Sequence, residues 1–259
     1  MADPTDFGAA PAPAGDRAGG DRWEEHAAWW IDEFTEGADP EYEEQILPLA
    51  IEHLAGSARV LDLGCGEGQV SRRAFAAGTD LVVGLDPTWN QISVAGQRGG
   101  GPAFVRAEAA GLPFRDESFD AVIVCLVFEH VRDVDHAFAE VARVLEPGGR
   151  FVFMVNHPLF QTPCSGWIDD QVVDPPEQYW RVGPYLDEVE TVEEVEKDVF
   201  IHFVHRPLSR YVNALAANGL TLEHMVEPAP PPGLLRLAPE YPDAASIPRL
   251  LLLRLRKQT

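Results

Sequence analysis

Apolar residues in this chain form short continuous runs that alternate with amphipathic stretches. One run covers residues 58–63, stops at a glycine-rich turn, and is followed at once by an amphipathic stretch over residues 70–77. A second run over residues 81–85 ends in Asp86, and a third ends at Cys125. Strands buried on both faces of a parallel sheet have such continuous apolar sequences, with helices between them. The pattern predicts an α/β fold with a doubly wound, mostly parallel sheet.

Two apolar stripes with helical spacing precede the first predicted strand. They predict helices near residues 23–34 and 41–54, within an N-terminal helical cap over residues 23–57. Residues 1–22 are mostly Ala, Pro, Gly and Asp, a composition that predicts a disordered tail. The alternating α/β core then spans residues 58–156.

The periodicity is lost after residue 156. Residues 157–184 contain five prolines and several Trp, Tyr and Phe residues. A long irregular loop in a compact domain is usually functional or disordered, and the aromatic content argues against disorder. We therefore predict that residues 157–184 form an irregular substrate lid after the fifth strand, within a lid insertion over residues 157–206 that also contains a strand near residues 199–204. A C-terminal helix and the last strands, over residues 207–259, would complete the sheet.

No metal site is predicted. Seven acidic residues between Asp187 and Asp198 are interleaved with valines, which indicates the solvated face of a helix or of an edge hairpin rather than a cation site. His202 and His205 lie three residues apart on the next predicted strand, and hence on opposite faces, where they cannot share a metal.

The charge and the cysteine content limit the possible partners. The chain has 20 basic and 42 acidic residues, a formal charge of −22 that repels phosphate backbones, so no nucleic-acid partner is expected. No apolar run approaches the roughly 20 residues of a membrane span, so no membrane partner is expected. Three cysteines without paired spacing indicate a reducing, cytoplasmic setting.

Three glycines at alternate positions, Gly64, Gly66 and Gly68, follow the first predicted strand. Glycine lets the backbone approach a ligand closely, and the start of the next helix presents unpaired N–H groups. Gln69 stands where the dinucleotide-binding fingerprint has its third glycine. Residues 60–68 therefore resemble the glycine-rich motif of the class I S-adenosylmethionine-dependent methyltransferases.

This resemblance extends in order over about residues 58–156. It implies a seven-stranded sheet, S-adenosylmethionine as the methyl donor and S-adenosylhomocysteine as its product. It also implies that Asp86 binds the ribose hydroxyls and that Glu108, where the family more often has Asp, lies near the adenine. The residues expected to bind the donor on this basis are Asp62, Gly64, Cys65, Gly66, Asp86, Pro87, Thr88, Gln91, Glu108, Ala109 and Cys125.

A sulfonium is already a reactive methyl donor, so few catalytic groups are needed. His130 follows the fourth strand at the sheet edge where ligands bind, and it is either the general base or a hydrogen-bonded residue that orders the pocket. His157, after the fifth strand, is the second candidate base. Arg206 is expected near the lid, with a structural salt bridge as the alternative. The residues expected to contact the acceptor are Trp30, Trp167, Tyr179, Trp180, Tyr185 and Arg206.

These features favour an enzyme that methylates an O, N or C atom of a small, partly aromatic or apolar molecule. Two alternatives stay open. One is a module that binds S-adenosylmethionine without catalysis and acts through a partner. The other is a nicotinamide-dependent oxidoreductase, which the glycine spacing and the segment over residues 108–114 disfavour.

Overall fold

The computed structural model describes residues 19–259. Of the predicted tail, residues 1–18 lie outside the described residues, and residues 19–22 belong to the first helix. The helices are α1 (Gly19–Glu25), α2 (Ala27–Phe34), α3 (Leu47–Leu54), α4 (Gln69–Ala76), α5 (Trp89–Arg98), α6 (Val134–Val144), α7 (Leu208–Ala217) and α8 (Pro232–Leu235), with a π-helical turn at Tyr42–Ile46 and a 3₁₀ turn at Pro242–Ser246. The strands are β1 (Arg59–Leu63), β2 (Leu81–Asp86), β3 (Ala103–Arg106), β4 (Phe119–Cys125), β5 (Leu145–Asn156), β6 (Gly166–Asp170), β7 (Glu177–Arg181), β8 (Val189–Glu196), β9 (Val199–His205), β10 (Leu220–Val226) and β11 (Leu250–Lys257). Between residues 19 and 259, no helix is long and apolar enough to cross a membrane.

Seven strands form the central sheet in the order β10-β11-β5-β4-β1-β2-β3. Strands β1 to β5 pair in parallel, whereas β11 pairs antiparallel with both β5 and β10. This confirms the predicted seven-stranded, mostly parallel sheet. The strand order reverses at β1, which lies between β2 and β4, so the crevice for a ligand is expected at the carboxyl ends of these strands.

Helices cover the sheet on both faces, which explains the continuous apolar runs. In β1, the side chains of Leu61 and Leu63 pack in the layer formed with α6 and α7. Val60, which directly precedes Leu61, packs in the opposite layer with α3 and α4. Both faces of the strand are dry, because successive side chains point to opposite sides of a sheet.

The second leading helix begins with a π-helical turn, where the sequence predicted a single α-helix over residues 41–54. The backbone N–H of Leu47 donates to the carbonyl of Tyr42, five residues earlier. Pro48 follows directly, and its ring lacks an N–H and clashes with the carbonyl four residues before it, which widens the preceding turn. The wide turn places Tyr42 at the sheet edge described below.

Residues 157–184 are not wholly irregular, which corrects the sequence expectation, whereas the strand predicted near residues 199–204 is present as β9. The insertion over residues 157–206 contains two antiparallel hairpins, β6 with β7 and β8 with β9. Trp167 and Trp180 are cross-strand partners in the first hairpin, and such aromatic pairs stabilise a short ribbon. The acidic stretch forms the outer strand of the second hairpin, in agreement with the edge-hairpin alternative.

Candidate active site

A cavity of about 400 Å³ opens at the carboxyl ends of β1, β2 and β4. One side of its wall is formed by the loops that follow β1, β2, β3 and β4, and the other side by α1, α2 and the π-helical turn. The cavity therefore occupies the switch point of the sheet, and its volume suits a small organic ligand.

The turn after β1 is built from glycines in a left-handed conformation. Gly64 has a φ of 77° and Gly66 a φ of 55°, which side chains rarely adopt. A side chain on Gly64 would also collide with Val127 in the loop after β4. The amides of Gly64 and Cys65 donate to the carbonyl of Leu85 at 2.7 and 3.0 Å. These contacts hold bare backbone against the cavity.

Asp86 ends β2 and is buried at the cavity wall. Its Oδ2 accepts a hydrogen bond from the Gly66 amide at 3.0 Å, and its Oδ1 accepts one from the Thr88 amide at 2.9 Å. Burial raises the pKa of Asp86, and these hydrogen bonds oppose the rise in part. Each carboxylate oxygen keeps a lone pair for a hydroxyl donor of a ligand.

Two further acids lie beneath the same turn. Asp62 accepts a hydrogen bond from the Ser71 hydroxyl, and burial raises the pKa of Asp62 to about 7. Glu67, which the sequence did not single out, forms ion pairs with Arg72 and Arg98. An acid inside a glycine-rich turn looks like an ordinary solvated residue in the sequence, because its two arginine partners come from later helices.

The structure brings all the residues predicted to bind the donor to this one cavity. Glu108 is solvent-exposed at the rim, whereas Cys125 is buried at the end of β4. Burial raises the pKa of the Cys125 thiol, which is hydrogen-bonded to the Tyr42 hydroxyl and stays protonated. Tyr42 is a second lining residue that the sequence analysis missed, because the π-helical turn that orients it has no simple sequence signal.

His130 lies in the loop after β4 and lines the cavity. Its Nδ1 is 2.7 Å from the carbonyl oxygen of His202 on β9. Its ring packs against Trp23 and Phe203, with centroid distances of 4.9 and 4.8 Å. Burial lowers the pKa of His130 to about 4, although the hydrogen bond to His202 opposes this effect. The imidazole is therefore neutral near pH 7.

Helices α1 and α2 form a roof over the cavity, called here the N-terminal roof. Trp23 and Trp30 both line the cavity, with ring centroids 5.4 Å apart. Trp30 also stacks on Phe34 at 4.3 Å. The sequence analysis placed Trp23 in the apolar stripe but not in the site. Its spacing of seven residues from Trp30 was the available signal, because such residues share a helix face.

The N-terminal roof is attached to the start of α5 by Glu24. The carboxylate accepts hydrogen bonds from the amides of Trp89 at 2.6 Å and Asn90 at 3.1 Å. The first amides of a helix lack partners within the helix, and its dipole favours a negative charge there. Because α5 begins directly after Thr88, this contact fixes the roof beside the buried Asp86 carboxylate.

Most residues predicted to contact an acceptor do not reach the cavity wall. Trp167 stacks on Tyr241 at 4.9 Å and Trp180 stacks on Phe160 at 4.7 Å, while Tyr179 is exposed. These rings pack on Tyr241 and Phe160 and do not line the cavity, so the structure gives no support for the lid expectation.

Tyr185 and Arg206 stabilise the fold around the second hairpin instead of facing the cavity. The Tyr185 hydroxyl accepts a hydrogen bond from the Leu208 amide at 2.9 Å. Arg206 is buried, pairs with Glu188 at 2.9 Å and donates to the carbonyl of Phe128 at 3.1 Å. This arrangement matches the structural salt bridge that was the alternative for Arg206.

His157 is also engaged elsewhere. Its Nδ1 accepts a hydrogen bond from the Leu159 amide at 3.1 Å, so Nε2 carries the proton and donates to Glu227 at 2.8 Å. His157 does not line the cavity, which leaves His130 as the candidate base. Across residues 19–259, no group of three or more His, Cys, Asp or Glu side chains is arranged to hold a metal ion.

Comparisons with known proteins agree with this geometry. A family model described as a methyltransferase domain matches residues 61–153. A crystallised S-adenosylmethionine dependent methyltransferase from Mesorhizobium loti superposes with a TM-score of 0.68 at 30% identity, over 82% of this chain and 95% of that one. A putative one from Listeria monocytogenes, 24% identical, shares the fold with a TM-score of 0.70 over 84% of this chain and 97% of that one.

Two curated relatives share only part of their length with this chain. A demethylmenaquinone methyltransferase from Thermobifida fusca is 31% identical over 154 residues, 53% of this chain and 64% of that protein. One from Renibacterium salmoninarum is 39% identical over 103 residues, 39% of this chain and 43% of that protein. The chain thus spans about half the length of these relatives.

Proposed function

The chain belongs to the class I S-adenosylmethionine-dependent methyltransferase family, and from that premise we propose that it transfers a methyl group from S-adenosylmethionine to an O, N or C atom of a small, partly aromatic or apolar molecule. The observation that carries the proposal is the composition of the cavity at the switch point of the sheet. One half holds the glycine turn and the strand-end acid Asp86, and the other half holds aromatic rings and a neutral histidine.

The first half of the cavity fits the donor. Asp86 would accept hydrogen bonds from its ribose hydroxyls, and Glu108 with Ala109 would lie along its adenine. The backbone at Gly64 and Gly66 would leave room for the amino-acid part. Gln91 supports this assignment, because its Oε1 is buried and has no partner among the described residues. A buried acceptor of this kind needs a donor from a ligand.

The second half would hold the acceptor. Trp23 and Trp30 offer flat apolar faces, and His130 is the polar group between them and the loop after β4. S-Adenosylmethionine supplies an activated methyl group, so the chain has three tasks left. The N-terminal roof would exclude water, the aromatic rings would orient the acceptor, and His130 would accept a proton where the acceptor has one to lose.

Calorimetry with S-adenosylhomocysteine tests the cofactor half. Asp86→Ala removes the charged hydrogen-bond acceptor, and we expect affinity to fall by ~1.5–3 kcal/mol, or roughly 10- to 100-fold. Asp80→Ala is the matched control, because Asp80 is an exposed acid just before β2. Unchanged affinity in Asp86→Ala, or tighter binding of NADH than of S-adenosylhomocysteine, would contradict the proposal.

Catalysis itself requires a second experiment. Incubation with methyl-labelled S-adenosylmethionine and a metabolite extract should yield one labelled small molecule, and Asp86→Ala should reduce the label. Tight binding of S-adenosylhomocysteine without any labelled product would favour the non-catalytic binding module instead.

A further inference from the structure

The hydrogen bond between His130 and His202 fixes which ring nitrogen of His130 carries the proton. A backbone carbonyl can only accept a hydrogen bond, so Nδ1, 2.7 Å from the His202 carbonyl oxygen, must donate. In the neutral ring the other nitrogen, Nε2, then has a lone pair and no proton. Among residues 19–259, Nε2 of His130 has no hydrogen-bond partner, so its lone pair is available to a molecule in the cavity that His130 lines.

The charged residues next to His130 that line the cavity, Arg132 and Asp133, are already paired. Arg132 lies 3.0 Å from Glu190, and Asp133 forms an ion pair with His136. The remaining neighbours of the imidazole are the rings of Trp23 and Phe203. In the acceptor half, the lone pair of Nε2 is therefore the polar group that a ligand has to match.

The wider electrostatics of the cavity disfavour an anionic acceptor. Asp86 and Glu108 line the wall, and neither of them forms an ion pair with a basic side chain of the described residues. The chain as a whole carries a formal charge of −22. Carboxylates in a concave, partly desolvated site raise the cost of bringing in another negative charge.

Resting on the function proposed above, we propose that the acceptor is an uncharged, flat aromatic molecule whose O–H or N–H group donates to Nε2 of His130 and is methylated at that oxygen or nitrogen. The heteroatom forms the bond to the methyl carbon, and the methyl–sulfur bond breaks with its electron pair left on sulfur. The O–H or N–H bond breaks as well, and its proton goes to Nε2. The imidazolium then releases that proton to water.

The low pKa of His130, about 4, is compatible with this role. It keeps the lone pair free near neutral pH, so the ring binds a hydrogen-bond donor in the ground state. A heteroatom that has gained a methyl group while still protonated is a far stronger acid than before, so even a weak base can take the proton. Because its pKa is low, the His130 imidazolium then loses the proton to solvent after the transfer.

Three matched probes test the inference on the protein saturated with S-adenosylhomocysteine. 1-Naphthol carries an O–H donor, 1-methoxynaphthalene has the same ring without the donor, and 1-naphthoate is an anion. We expect 1-naphthol to bind about 5- to 12-fold more tightly than the methyl ether and at least about 5-fold more tightly than the anion, since one hydrogen bond in a desolvated site is worth ~1–1.5 kcal/mol. Saturation-transfer NMR and calorimetry measure the three affinities.

Variants of His130 assign the selectivity to Nε2. His130→Phe keeps a flat ring but removes the lone pair, so the preference for 1-naphthol over 1-methoxynaphthalene should fall to within about twofold. His130→Gln supplies a side-chain carbonyl and should restore part of the preference. His224→Gln, at an exposed histidine on β10, is the control and should leave the preference unchanged.

The outcomes separate this inference from the proposed function. Failure to bind S-adenosylhomocysteine would count against the function itself. With that ligand bound, tighter binding of 1-naphthoate, equal binding of the methyl ether, or no binding of any probe would overturn the inference. So would a preference that survives in His130→Phe. If that variant does not fold, the order of the three probes on the wild-type protein still decides.

Discussion

The N-terminal roof and the segment over residues 157–185 are both rich in aromatic residues, yet only the roof reaches the cavity. In the roof, Trp23 and Trp30 contact each other at 5.4 Å and still line the cavity. In the segment, Trp167 and Trp180 are stacked on neighbouring rings, and neither lines the cavity. Aromatic content therefore predicts that a segment is ordered, but not what its rings contact.

The difference arises from where each region is anchored. The rings that cover Trp180 and Trp167 are Phe160, just after β5, and Tyr241, on the way to β11. These anchors hold the first hairpin on the β5–β11 side of the sheet. The roof is instead anchored to α5 through Glu24, directly beside the carboxyl end of β2. Position relative to the switch point decides which aromatic residues meet a ligand.

Removing one tryptophan from each region tests whether only the roof contributes to ligand binding. Trp30→Ala should lower the free energy of unfolding by about 3–5 kcal/mol, and it should also weaken S-adenosylhomocysteine binding at least about tenfold because the roof loses its packing. Trp180→Ala should cost comparable stability, since it leaves Phe160 without its stacked partner, but change the affinity by less than about twofold. Chemical denaturation and calorimetry measure the two effects. Equal losses of affinity in both variants would show that the segment does serve the cavity.

The cofactor half could be predicted from sequence because its determinants are local. A strand, a glycine turn and a strand-end acid lie within the 29 residues from Ala58 to Asp86, and the parallel sheet brings the ends of its strands to one edge. The strand pattern, the glycine spacing and the family resemblance therefore placed Gly64, Gly66 and Asp86 together. His130 was predictable for the same reason, because it follows β4.

The acceptor half could not be predicted in this way, because its contacts join distant parts of the chain. The tautomer of His130 depends on the His202 carbonyl, 72 residues later. The orientation of Tyr42 depends on a π-helical turn beside Pro48. The buried Arg206 is explained by carbonyls of the loop after β4, which no sequence pattern connects to it. Tertiary contacts of this kind override local patterns.

An acid at the cavity, Asp62, is buried, whereas an acid of the first hairpin, Asp169, is exposed, so the two should affect the pH dependence of stability differently. The pKa of Asp62 rises from 3.8 to about 7 on burial. Between these values the folded state binds more protons than the unfolded state, so the free energy of unfolding falls as pH rises from about 4 to about 7, by roughly 2–4 kcal/mol. Asp62→Asn cannot ionise and can still accept from Ser71, so we expect it to remove the part of the decline that Asp62 causes. Burial also raises the pKa of Glu129 to about 7, and the part caused by Glu129 should remain.

Denaturation across pH 4–8 measures the effect of Asp62→Asn. Asp169→Asn is the control in the first hairpin, where the side chain is exposed and accepts a hydrogen bond from Gln178 at 2.6 Å. It should keep the wild-type pH dependence. If the free energy of unfolding of Asp62→Asn fell with pH as steeply as that of the wild-type protein, Asp62 would be ionised in the folded protein throughout this range.

The smallest expected effect concerns the anchor of the roof. Glu24→Ala removes a carboxylate from two amides at the start of α5, a change typically worth ~1 kcal/mol. If the roof lifts when a ligand leaves, the loss should appear mainly in the dissociation rate of S-adenosylhomocysteine, which should rise about 3- to 10-fold. Stopped-flow fluorescence measures this rate, with the cavity-lining Trp23 and Trp30 as reporters.

Glu25→Ala is the matched control, because the neighbouring acid on α1 is exposed and forms no ion pair with any described residue. It should leave the dissociation rate unchanged and thereby exclude an effect of net charge alone. If both variants release the ligand at the wild-type rate, the roof does not control exit, and a path through the β5–β11 side would have to be sought. A faster release in Glu24→Ala alone would assign the gate to the N-terminal roof and not to the segment after β5.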